Sequence, residues 1–345
     1  MTLTILLAAI AIHVLTHLLI PLNKRFALKH QLLALPSERR IHKKVIPEAG
    51  GLSFGLPIIA MQYIFACIFR HSEMGWLFME LASVGILALV FGLIDDRFES
   101  RAKHKIIWQF ALGVIMYIFG YRIFYLTNPW GEPFILGWLS FPLTVLWYVV
   151  VINAINFIDG MDGLATGIAA IVCVVLLVVG IREQNTLVIS LAAFLLSGCL
   201  AFLYYNFHPA KIFLGETGTQ FIALNIAAIS TAGAAQFKGI TSMTMMIPLA
   251  ALGIPILDVI LAIFRRIRVG NIFTADKSHI HHTMLALGLS QRTISLIVYF
   301  VTALFGLIAI GFSLNYKKVL FTLLLVILAL IVIIAYILMR MEHKK

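Results

Sequence analysis

The sequence predicts an all-α, polytopic integral membrane protein with about 11 transmembrane helices, on the basis of composition, run length and charge distribution. Of its 345 residues, 61% are hydrophobic and only 12% are charged, and the mean hydropathy is +1.01. A soluble core needs much less apolar surface than this. The apolar residues fall in separate runs, most of them close to the roughly 20 residues that a helix needs to cross a bilayer.

The apolar runs place the expected helices in order along the chain. Spans are expected, to within a few residues, at 2–22, 51–70, 76–94, 106–121, 139–155, 164–181, 186–205, 218–236, 242–264, 293–313 and 319–339. The first run is expected to be retained rather than cleaved as a signal, because no basic segment precedes it and Lys24 and Arg25 follow it directly. Since little chain is left between the spans, residues 1–345 are expected to form a single transmembrane domain.

The lysines and arginines divide unequally between the two sides of the membrane when successive loops alternate. Twenty of the 26 fall on one side, and the other six fall on the opposite side. Because positively charged loops stay in the cytoplasm, the first side is predicted to be cytoplasmic, with the N-terminus outside and the C-terminus inside. This topology also accounts for the net charge of +11, so no nucleic-acid partner is expected.

The acidic residues follow the same division, which predicts one site at the cytoplasmic surface of the inner membrane. Asp95, Asp96, Asp159, Asp162 and Glu216 all fall in predicted cytoplasmic loops. A transporter would more often place its key acids near the middle of the bilayer. A site at the membrane surface could receive a soluble substrate and membrane lipid headgroups together. The loops expected to build it are 23–50, 95–105, 153–165, 206–219 and 265–292.

The stretch from Asn153 to Ala165 separates two apolar runs with two amides, two carboxylates and two glycines. Asn156, Asp159 and Asp162 recur every three residues, which would place them on one face if the segment is helical. An ionised Asp beside a membrane span is costly and therefore indicates a function. Gathered oxygen atoms suit a hard cation such as Mg²⁺, or a polar ligand. The alternative is a loop that is merely acidic.

The pair Asp95–Asp96 closes the third predicted span, and Lys105 stands at the start of the fourth. Adjacent carboxylates repel each other, so the pKa of one of them is expected to be raised unless a cation lies nearby. The functional interpretation is a general base with a positioning acid beside a phosphate or a metal. The alternative is a solvated helix end.

The segment 206–219 is predicted to be an irregular loop, because it contains Pro209, Gly215 and Gly218. Glu216 could ligate a divalent ion. Phe213 could stack on a base, and ordinary packing is the alternative. The backbone amides of residues 217–219, at the start of the eighth span, could hold a phosphate.

A group of histidines lies in the longest predicted cytoplasmic loop, after several arginines. They are His279, His281 and His282. The group lacks the Cys residues or regular His spacing of a zinc site. Histidines near arginines suit a diphosphate, and a basic loop resting on anionic lipid is the alternative.

Five segments, in this order, resemble the polyprenyl-phosphate N-acetylhexosamine-1-phosphate transferase family, of glycosyltransferase 4 type. They are Arg39 to Gly51, Asp95–Asp96 with Lys105 and Gln109, Asn153 to Ala165, Asn206 to Thr219, and His279 to His282. The resemblance covers nearly the whole chain, from Pro36 to Arg292. It implies transfer of a sugar 1-phosphate from a UDP-N-acetylhexosamine to undecaprenyl phosphate, with release of UMP. It also implies Mg²⁺ as the cofactor, with Mn²⁺ as a substitute.

The resemblance implies roles for individual residues. Asp95 is expected to be the base that contacts the lipid phosphate, or to form a covalent intermediate, and Asp96 and Lys105 are the other expected catalytic residues. Glu216 and Asp159 are expected to hold the metal. The residues expected to bind substrate are Lys44, Asn153, Asn156, Asp159, Asp162, Asn206, Phe213, His279, His281 and His282. A homodimer is expected by resemblance alone.

Two details bear on the branch of the family and on its activity. The run His-Ile-His-His-Thr-Met resembles the branch that transfers GlcNAc 1-phosphate to start cell-surface polysaccharides such as O-antigen or teichoic acid. The family normally has Asp where this chain has Glu216, and the longer side chain suits the strict geometry of Mg²⁺ less well. The alternatives are therefore a weakened homologue that binds nucleotide sugar or lipid phosphate, and a polyprenyl-lipid transporter. The sequence leaves the hexosamine and the downstream polymer open.

Overall fold

The computed structural model describes residues 1–34, 45–126, 134–236 and 288–312, together with Thr322 and Val326, and these residues are mostly helical. The helices are α1 (Thr2–Lys29), α2 (Gly51–Ile68), α3 (Glu73–Phe98), α4 (Ala102–Ile118), α5 (Ser140–Ile158), α6 (Leu164–Arg182), α7 (Thr186–Asn206), α8 (Gly215–Gln236) and α9 (Gln291–Phe312). Two short antiparallel strand pairs add to the predicted all-α fold. They are β1 (Leu33–Ala34) with β2 (Ile46–Pro47), and β3 (Tyr125–Leu126) with β4 (Phe134–Ile135).

The described helices form a polytopic membrane protein. Seven of them, α1, α2, α3, α5, α6, α7 and α9, are long and apolar enough to cross a membrane. Helix α4 has only 17 residues, and α8 carries many polar side chains. The predicted spans 242–264 and 319–339 lie outside the described residues, apart from Thr322 and Val326. The full number of spans and their sidedness stay predictions.

Several helices continue beyond the ends of the predicted spans. Helix α1 runs to Lys29 rather than to residue 22, α3 runs to Phe98, and α5 runs to Ile158. Hydropathy reports the part of a helix that lies in hydrocarbon, whereas backbone hydrogen bonds carry the helix further into the polar region. Parts of the predicted loops 95–105 and 153–165 are therefore helical.

Helix α8 is the core of the described bundle. Every residue from 217 to 232 is buried, and α2, α3, α5, α6 and α7 all pack against it. Its polar side chains are hydrogen bonded to its neighbours. The Gln62 amide donates to Asn225 Oδ1 at 3.1 Å, and the Trp147 indole donates to Ser230 Oγ at 2.9 Å. A helix surrounded by protein does not need a lipid-facing apolar surface, which explains its modest hydropathy.

Candidate active site

A pocket with a volume of about 380 Å³ lies where α3, α4, α5 and α8 meet. Its lining residues are Glu48, Asp95, Asp96, Glu99, Ser100, Lys105, Asn156, Asp159, Gly215, Glu216 and Thr219. Six of these residues carry carboxyl groups, and Lys105 is the single lysine or arginine among them. The structure thus brings together most of the acids that the sequence singled out, from α3, from the end of α5 and from α8, with Lys105 of α4 beside them. Such a surface attracts cations and repels an unaccompanied phosphate.

Lys105 connects two of the carboxylates across the pocket. Its Nζ lies 2.6 Å from Asp95 Oδ2 and 2.6 Å from Glu216 Oε1. The other oxygen of Asp95 accepts a hydrogen bond from the Ser100 amide at 2.8 Å. The Asp95 side chain is only 1% exposed, so its position is closely determined by these two contacts. The first turn of α4 and the short link between α3 and α4 together hold Asp95 in place.

Asp96 holds the beginning of α8. Its carboxylate accepts hydrogen bonds from the Glu216 amide at 2.6 Å and from the Thr217 amide at 3.1 Å, and it also contacts the Thr217 hydroxyl. The first amides of a helix lack partners within the helix, and here an Asp of another helix supplies one. The expectation that the amides of residues 217–219 hold a phosphate is therefore wrong for Thr217, because Asp96 occupies its amide. In this arrangement Asp96 fixes the backbone that carries Glu216.

Close backbone packing also fixes the start of α8. A Cβ atom added to Gly92 would lie 2.4 Å from Thr217 Cα, and one added to Gly51 would lie 2.4 Å from Gly218 Cα. Both distances are too short for any side chain, so only glycine allows α2 and α3 to approach α8 this closely. Gly215 has φ +70° and lies against the Asp96 carboxylate. These contacts place Glu216 at the pocket.

Asp159 lies just after α5 and lines the pocket beside Asn156. Burial raises the pKa of the Asp159 carboxyl well above its usual value, and repulsion by Glu216 and other nearby carboxylates raises it further. A cation bound beside Asp159 would lower this pKa again, because the cation attracts the ionised carboxylate and offsets the repulsion between the acids. The carboxylates of Asp159 and Glu216 are hard oxygen donors, and they fit the ligands that Mg²⁺ prefers.

Asp162 does not join Asp159 in the pocket. Its Oδ2 accepts hydrogen bonds from His208 Nδ1 at 2.8 Å and from the Ala210 amide at 3.1 Å. The expectation that Asn156, Asp159 and Asp162 share one helical face is wrong, because α5 ends at Ile158 and the chain turns before α6. Asp162 instead ties this turn to the segment that follows α7.

Three further residues with predicted substrate roles make contacts outside the pocket lining. Asn153 donates to Gln109 Oε1 at 2.6 Å and joins α5 to α4. Asn206 is buried, accepts from the Thr166 hydroxyl at 3.0 Å and donates to the Ile212 carbonyl at 3.1 Å. The Phe213 backbone amide donates to the Pro47 carbonyl at 2.8 Å. Lys44, His279, His281 and His282 lie outside the described residues.

The structure adds residues that the sequence interpretation missed. Glu48, Glu99 and Ser100 line the pocket. Glu48 lies between Pro47 and the pair Gly50–Gly51. An acid in so constrained a segment is the one sequence signal that could have indicated its place in the pocket. The hydroxyl of Tyr299, on α9, donates to the Gly163 carbonyl at 2.6 Å, at the end of the turn that carries Asp159. No local pattern could indicate that contact, since 136 residues separate the partners.

The chain is similar to one protein family and to several known proteins, whose names all describe sugar-phosphate transfer to a polyprenyl phosphate. Residues 76–234, which supply α3 to α8, match the family model described as Glycosyl transferase family 4. The chain is 37% identical to a probable undecaprenyl-phosphate N-acetylglucosaminyl 1-phosphate transferase of Bacillus subtilis, over 88% of this chain and 84% of that protein. It is 31% identical to a decaprenyl-phosphate N-acetylglucosaminephosphotransferase of Mycobacterium tuberculosis, over 81% and 74%. It is 28% identical to an undecaprenyl-phosphate alpha-N-acetylglucosaminyl 1-phosphate transferase of Escherichia coli K12, over 89% and 84%.

Proposed function

The chain belongs to glycosyl transferase family 4, and from that premise we propose that it is a sugar-phosphate transferase. It transfers GlcNAc 1-phosphate from UDP-GlcNAc to undecaprenyl phosphate, giving undecaprenyl-diphosphate-GlcNAc and UMP. The names of its relatives support the acceptor and the sugar. The observation that carries the proposal is the pocket in which Asp95, Lys105, Asp159 and Glu216 meet at the ends of membrane helices.

The reaction joins two anions, so the pocket must offset their mutual repulsion and align them. A phosphate oxygen of the lipid attacks the β-phosphorus of the UDP-sugar, and the bond from that phosphorus to the bridging oxygen breaks, so UMP leaves. Phosphoryl transfer depends mainly on alignment and charge compensation. Mg²⁺, when bound by Asp159 and Glu216, would supply charge compensation for the diphosphate. The cation of Lys105 lies between the two halves of the pocket, where it can attract the incoming phosphate.

Asp95 is the proposed general base. It is held by Lys105 and Ser100 in a fixed orientation on the pocket wall. A carboxylate in this position can accept the remaining proton of the lipid phosphate, which increases the negative charge on the attacking oxygen. Asp96 is proposed to act indirectly, by positioning Glu216, because its carboxyl group accepts hydrogen bonds from the backbone of α8.

The test is transfer by the purified protein in detergent, with undecaprenyl phosphate, Mg²⁺ and radiolabelled UDP-GlcNAc. Label is expected in the lipid phase, with equimolar UMP, and chelation of the metal should stop both. Asp95→Asn should lower kcat by roughly 10²- to 10⁴-fold, whereas Glu73→Gln, at the opposite end of α3, should not. If no UDP-N-acetylhexosamine is used by a preparation that still binds UMP, the protein is the weakened homologue instead.

The pocket is proposed to face the cytoplasm from the inner membrane. The excess of lysine and arginine in loops on the pocket side supports this orientation. In a Cys67→Ser background, Lys103→Cys at the pocket end of the bundle should react with an impermeant maleimide only in inverted vesicles. Ser72→Cys, at the other end of α3, should react only in intact spheroplasts. The reverse pattern would contradict the proposed orientation.

A further inference from the structure

A second concave region lies on the membrane-facing side of the bundle, away from the pocket. Helix α2 packs against α1, α3, α7 and α8, and these neighbours pack in the order α1, α7, α8 and α3 around it. Among the helices that the structure describes, the side of α2 between α3 and α1 is therefore the open one. The exposed side chains of α2 include Leu56, Ile64 and Ile68, which are 49%, 50% and 54% exposed. These side chains extend an apolar surface along α2 between α1 and α3, which we call the groove.

The groove ends in a pocket of about 500 Å³ at the level where α1 and α3 both finish. Lys29, the last residue of α1, and Arg97, in the last turn of α3, line this pocket together with His30. Its floor is closed by the packing of Ala27, Leu32 and Ala49 with Leu93. The pocket is thus a basic end to an apolar groove.

The charged groups of this pocket are uncompensated in the described part of the chain. None of the ion pairs among the described residues involves Lys29 or Arg97, and both residues are exposed. On α3, Val90, Ile94 and Phe98 follow one another at four-residue spacing and are 50%, 43% and 74% exposed. They form an apolar wall that continues from the pocket toward the middle of α3. A ligand that fits must combine an anionic head with long apolar chains.

We propose that this groove binds an anionic glycerophospholipid, with its phosphate between Lys29 and Arg97 and its acyl chains along α2. Basic pockets between transmembrane helices attract anionic headgroups at the membrane surface, and long basic side chains reach that level while their stems stay in apolar surroundings. The bound lipid lies on one face of the last turn of α3, and Asp95 and Asp96 lie on the other. It would therefore stabilise the end of the helix that carries both acids.

The geometry favours a bilayer phospholipid over the acceptor lipid as the occupant. Ile94, Arg97 and Phe98 line the groove, whereas Asp95 and Lys105 line the catalytic pocket. The backbone of α3 separates the two sets of side chains. A phosphate held by Arg97 is thus on the wrong side of α3 to meet Asp95, so the groove does not hold a reacting acceptor.

The test is lipid binding to the full-length protein by native mass spectrometry, with phosphatidylglycerol, phosphatidylcholine and undecaprenyl phosphate. The wild type should bind phosphatidylglycerol more tightly than phosphatidylcholine. Lys29→Gln and Arg97→Gln should each weaken phosphatidylglycerol binding by about fivefold, and the double variant should weaken it further. The matched double variant Lys24→Gln with Arg101→Gln removes two charges at the same end of the bundle, with Lys24 on another face of α1 than Lys29, and should bind as the wild type does.

The outcomes separate the possible occupants. Equal binding of the two phospholipids by the wild type would overturn the proposal, and so would an unchanged affinity in both single variants. Displacement of phosphatidylglycerol by an equal concentration of undecaprenyl phosphate would show that the acceptor occupies the groove, and would overturn the phospholipid assignment. If the double variant fails to fold, the single variants and the lipid preference of the wild type decide the question.

Discussion

Lys105 Nζ lies 2.6 Å from a carboxylate oxygen of Glu216, 111 residues further along the chain. The same ammonium group lies 2.6 Å from Asp95. One cation therefore joins a carboxylate that ends α3 to a carboxylate that begins α8. These two acids have different proposed tasks, one toward the lipid phosphate and one toward the metal, so we propose that Lys105 couples both halves of the reaction.

Replacing this cation should damage the site without unfolding the protein. Lys105→Met keeps an unbranched side chain that is one atom shorter, but it leaves Asp95 and Glu216 without their shared partner. We expect kcat to fall by roughly 10²- to 10³-fold, as for the loss of a charged group aimed at a phosphoryl oxygen. Steady-state transfer measures this effect, and Lys103→Met on the same turn of α4 is the control. Equal activity of the two variants would contradict the coupling.

Asp96 should prove more important for stability than for proton transfer. Asp96→Ala removes the acceptor of the Glu216 and Thr217 amides, and hydrogen bonds to a charged group contribute roughly 1.5–3 kcal/mol each. Because burial raises the pKa of Asp96 to about 8, the loss at neutral pH should lie nearer the roughly 0.5–1.5 kcal/mol of a hydrogen bond between neutral groups. We expect a lower thermal unfolding temperature in detergent. Asp96→Asn keeps an acceptor oxygen and should recover much of the loss. If the Ala variant unfolds at the wild-type temperature, Asp96 does not hold the start of α8.

Glu216→Asp tests whether the site is built around the longer acid. Removing one methylene group withdraws the carboxylate from Lys105, so we expect activity to fall by about tenfold. The measurement is kcat and the Mg²⁺ concentration for half-maximal transfer. A large gain in activity would instead identify the native residue as the reason for a weakened enzyme. Glu73→Asp, far from the pocket, should leave both quantities unchanged.

Mg²⁺ binding should depend on pH through Asp159. Its raised pKa means that the carboxyl keeps a proton in the cation-free protein over a wider pH range. A bound cation must displace that proton, so affinity should fall as the pH is lowered and rise as the pH is raised. Titration calorimetry in buffers of different ionisation enthalpy would measure the released proton. Asp159→Asn should abolish this release and Asp162→Asn should retain it; equal release from all three proteins would refute the role of Asp159.

Tyr299 should position the turn that carries Asp159. Its hydroxyl bonds the Gly163 carbonyl, so Tyr299→Phe removes one hydrogen bond and should raise the KM for UDP-sugar by about fivefold. Tyr63→Phe removes the contact with Ser83 at 2.9 Å between α2 and α3, and serves as the matched control. A shift in KM in both variants, or in neither, would assign Tyr299 to packing alone.

Most of the helix positions and most of the acids in the pocket can be predicted from the sequence. Hydropathy marks the apolar helices, and the cost of burying a charge marks the acids beside them, and both are local signals. Asp95, Asp159 and Glu216 were identified in this way, and the structure places them in one pocket. The separate orientation of Asp162 was not predictable from spacing, since it depends on where α5 ends. The engagement of Asp96 by α8 required knowledge of tertiary packing. Tyr299 lies on an apolar helix with no local sign of its partner.

The burial of α8 also bears on how the protein is made. Gln62, Trp147 and Tyr148, which satisfy its polar side chains, all belong to helices synthesised earlier in the chain. A segment with this many amides and hydroxyls gains little from entering lipid alone. Insertion of α8 as a membrane span, which the sequence predicts, would therefore require the earlier helices to have assembled beside the translocation machinery first. Substitutions of those three partners should appear as failures of biogenesis, with α8 left on the wrong side of the membrane, before they appear as failures of catalysis.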